Sequence, residues 1–190
     1  MTKSDQSIWK SFRNGDENAY ELIYREHFRG LFRYARKFTN DSNLIKDCIQ
    51  DLFLTLGRSR NTLGETDSIR FYLLKSLRRL LTQRIQQENL RLDEEPNDLA
   101  FEWILPIEHH ILEEETSLEK NLRLKQAMGV LTKRQREAIY LKFYNDLDHD
   151  QIAVLMGISY QSVSNLLYQS LRILETQLTF FIVLIYWIFK

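Results

Sequence analysis

The sequence predicts an all-α protein of two small helical domains joined by an acidic linker, and three observations predict it. Only 6 Gly and 2 Pro occur in 190 residues, and few β-branched runs appear before the C-terminus. Apolar residues recur at helical spacing through both ends of the chain. The formal net charge of zero hides three blocks. Residues 8–87 hold 15 Lys/Arg against 9 Asp/Glu, residues 88–119 hold 1 against 11, and residues 120–178 hold 8 against 5. Basic blocks suit a polyanion, and the alternation of sign implies that the pieces meet different surroundings. Hydrophobic residues make up 44%, enough for real cores. Cys48 is the one cysteine, so no intramolecular disulfide is expected. The start, MTKSDQSIWK, lacks an apolar signal core, and the expected location is the cytoplasm.

Ile8, Trp9 and Phe12 open a short amphipathic segment that stops at Asn14-Gly15. Asp16 is positioned to cap a long helix, with Glu17 in its first turn where the dipole favours an anion. The apolar stripe of that helix is Tyr20, Ile23, Tyr24, His27, Phe28, Leu31, Tyr34, Ala35 and Phe38. His27 reads as a packed histidine, since nothing nearby would complete a metal site. Asp41 or Ser42 caps the next helix, whose inner half is Leu44, Ile45, Cys48, Ile49, Leu52, Phe53 and Leu56. Cys48 therefore faces the core and is expected to be inert. The opposite half carries Asp47, Gln50, Asp51 and Leu54, and an exposed leucine among polar residues is a mild interface signal.

Residues 57–67 (GRSRNTLGETD) read as a polar loop with two glycines and two arginines, Arg58 and Arg60. Ser68 then starts a helix that buries Leu73, Leu74, Leu77, Leu80, Leu81 and Ile85. Lys75, Arg78, Arg79, Thr82 and Gln86 share its other side. Such a face can grip a phosphate backbone or can simply be solvated, and the residues alone do not choose. Residues 88–119 read as a linker carrying both prolines, with isolated apolar anchors at 99–105 and 111–112. His109-His110 lies within it without a third ligand, so no metal site is expected.

The stretch from Leu131 to Leu174 carries the clearest local grammar. Thr132 with Gln135 forms a capping box that opens a helix from about Lys133 to Tyr144. Asp148 with Gln151 opens a short second helix ending at Met156, and Gly157 supplies a left-handed turn residue. Ser159 caps a third helix in which Val163, Leu166, Leu167, Ser170, Leu171 and Leu174 recur at helical spacing. A steep crossing of two helices needs a small residue, a left-handed turn and an apolar side chain, here Ala153, Gly157 and Val163. With both caps, these favour a DNA-reading helix-turn-helix over an ordinary helical hairpin.

Taken in order, these parts resemble a bacterial RNA polymerase sigma factor of the extracytoplasmic-function (ECF) type, with a Bacteroidetes-like flavour, over roughly residues 8 to 178. NGDENAYELIYREHF, IKDCIQDLF and YLLKSLRRLL resemble sigma region two, and LTKRQREAIYLKFYNDL followed by HDQIAVLMGISYQSVSNLL resembles region four. The implied domains are 8–87 for region two, 88–119 for the acidic linker, 120–178 for region four and 179–190 for a hydrophobic tail. The implied partners are core RNA polymerase and promoter DNA, with an anti-sigma factor or a DNA-bound recruiting factor as further ones. Asp47, Gln50, Asp51 and Leu54 match the family's surface for polymerase. Arg58, Arg60, Tyr72, Lys75, Arg78 and Arg79 match the part that melts and holds the minus-ten element, where a base is extruded at a cost of about a few kcal/mol. Gln161, Ser162, Ser164, Asn165, Tyr168 and Arg172 fall on the helix that enters the major groove of the upstream element. No catalytic residue and no cofactor are implied.

Two departures from the family pattern bear on function. Its third region-four helix usually carries several lysines and arginines, whereas here Arg172 is the only outward cation. Phosphate contacts supply most sequence-independent affinity, so this helix is expected to hold DNA weakly, although Gln161 and Asn165 can read base edges. The family often has asparagine where Arg79 stands, so its minus-ten rules do not transfer closely. The tail at 178–189 (LTFFIVLIYWIF) would span about 18 Å as a helix against a hydrocarbon core of about 30 Å. It is expected to pack on protein, with membrane-surface contact or anti-sigma docking as the alternatives. The competing reading of the whole chain is a stand-alone helix-turn-helix transcriptional regulator. An enzyme finds no support, because no phosphate-cradling glycine loop, paired metal motif or nucleophile–base pair stands out.

Overall fold

Helix caps set the boundaries of both halves of the molecule. The structure, a computed structural model, describes residues 5–91, 101–102 and 126–188, the side chains of 89–91 and 177–188 excepted. The chain divides into two compact units, Met1–Ala100 and Phe101–Lys190. All regular structure among the described residues is helical, as an all-α two-domain protein requires.

The first unit consists of α1 (Asp5–Arg13), α2 (Glu17–Ala35), α3 (Ser42–Ser59), a 3-10 turn (Arg60–Thr62) and α4 (Ile69–Arg91). Asp16 caps α2 by accepting from the amides of Asn18 and Ala19, and Asp41 caps α3 from those of Asn43 and Leu44. Each cap satisfies amides that a helix start leaves without an intrahelical partner. Gly15 joins α1 to α2 at φ +93°, which only glycine adopts without strain. The α4 helix packs on α2 and α3, and α1 packs on α2 and α4. Leu73, Leu74, Leu77 and Leu81 of α4 are at most 1% exposed, against Ile45, Cys48, Ile49 and Leu52 from α3 and Ile23 and Leu31 from α2. Burial of each such side chain stabilises by about 1.5–3 kcal/mol. Burial also pushes the Cys48 thiol up to about 11, so its reactive thiolate is scarce at neutral pH.

Several expectations are corrected here. The loop expected over 57–67 is shorter, because α3 runs on through Ser59 and the 3-10 turn follows it. Gly57 does not break the helix. A Cβ there would meet the Tyr20 ring at 3.7–3.8 Å, an ordinary contact, and the Tyr20 hydroxyl donates to the Phe53 carbonyl at 2.8 Å. The α4 helix continues to Arg91, into the stretch assigned to the linker. Leu80 and Ile85 are only half-buried, and Tyr24, placed on the apolar stripe of α2, is 42% exposed.

In the second unit, residues 126–130 are helical, followed by α5 (Lys133–Phe143), α6 (His149–Met156) and α7 (Tyr160–Ile188). Thr132 with Gln135 and Asp148 with Gln151 both form complete capping boxes. Phe101 is buried and sits 5.5 Å from the Tyr140 ring, so an anchor from the linker stretch packs in this unit. Val163 of α7 is fully buried and Ala153 of α6 nearly so, with Gly157 between them at φ +66°. Its amide bonds back to the Ala153 carbonyl, and the Ile158 amide reaches the same carbonyl at 3.0 Å. Leu171 departs from the expected buried face and is 47% exposed. The tail continues α7 as helix to Ile188; what its side chains pack on, like His109, His110 and most of the acidic run, lies outside the described residues.

Gly157→Ala isolates the conformational requirement of the turn. Nothing lies within 4 Å of a Cβ added at Gly157, so only the left-handed backbone opposes it. The expected loss is about 1–2 kcal/mol in urea unfolding of the full chain. An unchanged midpoint would contradict a left-handed residue at this turn.

Candidate nucleic-acid interface

Three surfaces carry the residues singled out from the sequence. On α3, Asp47, Gln50 and Leu54 are exposed on the side away from the core, with Leu54 at 45%. The amphipathic pattern puts them there, because Cys48, Ile49, Leu52 and Phe53 take the inner side. Asp51 shares the stripe but is not open to a partner in the same way. Its Oδ2 accepts from Arg84 Nη2 of α4 at 2.8 Å, an ion pair half-exposed on both sides. Pairs so exposed contribute about 0–1 kcal/mol, so this one is easily exchanged.

The second surface is the segment between α3 and α4 together with α4 itself. Arg58 lies exposed in the last turn of α3. Arg60 is exposed in the 3-10 turn and lies over the α1–α2 turn, its Cζ 3.8 Å from where a Cβ on Gly15 would stand. Lys75 and Arg79 are exposed one helical turn apart and share one face of α4. Arg78 does not join them. Its Nη1 donates to the Tyr34 hydroxyl at 3.0 Å, and its guanidinium lies over the Phe38 ring at 5.5 Å. Tyr72 is half-buried with its ring 5.0 Å from that of Trp9. The basic block is thus partly turned inward. Lys37 is also buried, which with the repulsion of Arg33 and Arg36 brings its ammonium down to about 8. His27 on α2 is part-buried, and desolvation together with Arg70 lowers its pKa, leaving it neutral at pH 7.

The third surface is the outward side of α7. Gln161, Ser162, Asn165, Tyr168, Gln169 and Arg172 are exposed, and Ser164 is half-buried. Much of their hydrogen-bonding capacity is turned along the helix itself. Gln161 Nε2 donates to Asn165 Oδ1 at 3.2 Å, and the Ser162 hydroxyl pairs with that of Ser159 at 2.8 Å. The one cation expected on this face, Arg172, lies 3.7 Å from Glu175. Tyr160, 52% exposed with its ring 5.3 Å from His149, stands at the start of the same helix and was not singled out from the sequence. A tyrosine just after a serine cap carries no local signal that separates an outward ring from a packed one.

Comparison with known proteins agrees with this arrangement. Residues 23–91 match the family described as Sigma-70 region 2, and residues 121–174 match Sigma-70, region 4. Together the matches cover well over half of the chain, and the chain belongs to the sigma-70 family. Within it, the chain is a sigma factor of the ECF type, a transcription initiation factor. It is 22% identical over 158 residues to the ECF RNA polymerase sigma factor SigK of Mycobacterium sp. (strain JLS), covering 83% of this chain and 81% of that one. It is 22% identical over 151 residues to the SigK of Mycobacterium sp. (strain KMS), covering 79% and 78%. The fold is shared with CnrH, solved in complex with the cytosolic domain of CnrY, at a TM-score of 0.58 and 16% identity, covering 93% and 98%. It is also shared with the sigma factor RpoE, solved with the anti-sigma factor NepR from Bartonella quintana, at a TM-score of 0.58 and 15% identity, covering 84% and 96%.

Proposed function

We propose that this chain binds core RNA polymerase through the outer stripe of α3 and opens promoters through the segment between α3 and α4 and the basic face of α4. The observation that carries the reading is the stripe itself: Asp47, Gln50 and the 45%-exposed Leu54 face away from the core on a helix whose inner side is fully committed. Exposed leucine flanked by acidic and amide groups suits a protein partner with apolar and basic elements. Arg58, Arg60, Lys75 and Arg79 would meet DNA phosphates around the minus-ten element. Tyr72 and Arg78, already held by Trp9 and Tyr34, would support that surface from within. The domain scheme that goes with this reading is region two at 8–87, an acidic linker at 88–119 that occupies basic channels of the polymerase, region four at 120–178 and a tail at 179–190 packed on protein. The working compartment is the cytoplasm, and the Bacteroidetes-like flavour of the sequence belongs to the same reading.

Region four contributes little promoter affinity by itself on this account. The motivation is a helix face whose cation has an acidic neighbour and whose amides bond each other, leaving few groups for phosphates. Upstream contact is then assisted by a DNA-bound recruiting factor that docks on this face. An anti-sigma factor is a further expected partner, in line with the solved complex of RpoE.

Run-off transcription with purified core polymerase tests the proposal. Transcripts are expected only when the chain is added, and scrambling the upstream element is expected to change open-complex formation by less than about tenfold. No transcript from any candidate promoter, with or without a helper factor, would sink the sigma reading. A loss of roughly a hundredfold on scrambling, about 2.7 kcal/mol, would sink the weak-upstream reading alone.

A further inference from the structure

One side of α1 is spent on the segment that precedes α4. Asp5, Trp9 and Arg13 recur every four residues and Gln6 lies beside them, so one helix face presents all four. Asp5 Oδ2 accepts from the backbone amide of Ile69, the first residue of α4, at 2.9 Å. Gln6 Nε2 donates to Asp67 Oδ1 at 2.6 Å. The buried Trp9 ring donates its indole N–H to the Gly64 carbonyl at 2.9 Å and packs on Tyr72. Arg13 lies 3.7 Å from Glu65. Within the segment itself, the Ser68 amide bonds to Thr66 Oγ1 and the Phe71 amide to the Ser68 hydroxyl.

These contacts exceed what packing α1 requires. An amphipathic nine-residue helix is anchored by Ile8, Trp9 and Phe12 alone. Its polar side could face water, yet Asp5, Gln6 and Arg13 reach residues 69, 67 and 65 of one short segment, and the indole N–H of the buried Trp9 reaches residue 64. Asp5 also supplies a carboxylate to an amide that a helix start leaves open, where the dipole favours negative charge. That site is thereby occupied by the protein's own anion.

We infer that α1 is a positioning clamp that holds residues 63–68 and the first turn of α4 in the form that captures single-stranded promoter DNA. The inference rests on the proposed role of this segment in promoter opening. A free six-residue segment would have to be ordered when a base is captured, and holding it beforehand removes that entropy from the binding step. Asp5, Gln6 and Trp9 act through the segment and need not touch DNA.

The test uses holoenzyme assembled from core polymerase and the full chain. The probe is a labelled single-stranded oligonucleotide carrying the non-template minus-ten sequence of the promoter that supports run-off, with a scrambled counterpart. The variant combines Asp5→Asn, Gln6→Ala and Trp9→Phe, which keeps the aromatic ring against Phe12 and Tyr72 while removing the donors and the charge. Its affinity for the probe is expected to fall by about tenfold or more with core affinity unchanged. Restoring a carboxylate as Asp5→Glu in the same background is expected to recover part of the loss. Wild-type discrimination of the probe with an unchanged variant would overturn the clamp alone. Parallel loss of core binding would overturn it too, because α1 would then be a general support of the unit. A wild type that cannot tell the probe from its scrambled counterpart would overturn both the clamp and the role of the segment.

Discussion

Asp47→Ala, Gln50→Ala and Leu54→Ala in one chain are expected to weaken binding to core RNA polymerase by roughly a hundredfold or more, close to 3 kcal/mol. All three side chains are exposed on α3, and none contributes to the buried core of the unit. Truncating exposed side chains of this kind usually changes stability by less than about 0.5 kcal/mol each. Folding and binding should therefore separate cleanly. The measurement is a titration of labelled chain with core enzyme, set beside thermal unfolding of the same protein. Unchanged affinity would remove the α3 stripe from the polymerase interface. Asp51 is left out deliberately, since its loss would also free Arg84 on α4 and mix two effects.

The second large effect belongs to the core. Leu77→Ala is expected to cost about 2–5 kcal/mol in urea unfolding, a large share of the roughly 5–15 kcal/mol that holds a domain together. Leu77 is fully buried at the middle of α4, with Leu73, Leu74 and Leu81 buried on the same helix. Removing its side chain leaves a cavity in a site closed by α2 and α3. Leu80→Ala should cost clearly less, because Leu80 is only half-buried although the apolar pattern puts it on the same side. Equal losses at 77 and 80 would contradict this orientation of α4.

That pair of leucines also marks where the sequence stops being explicit. A helical stripe wide enough to include 73, 74, 77, 80 and 81 says which side is inward, and its edge depends on how close the neighbouring helices come. Arg78 makes the same point with charge. Spacing groups it with Lys75 and Arg79, yet the Tyr34 hydroxyl and the Phe38 ring, some forty residues earlier, draw it inward. Gly57 reads as a breaker, yet α3 runs on through it to Ser59.

What the sequence by itself determined is everything settled within about one turn of helix. The caps at Asp16, Thr132 and Asp148, the left-handed Gly157 and the inner face of α3 all follow from groups no more than a few residues apart. Backbone amides at a helix start need a nearby acceptor, and apolar side chains need a common face, so these choices are written locally. Only the tertiary structure decided that Asp5 caps α4, that Trp9 holds Gly64, that Asp51 meets Arg84 and that Arg78 turns inward. Each of those contacts joins residues more than thirty positions apart. Their partners are brought together by burial of the leucine-rich core, a non-directional force that leaves no spacing in the chain to read.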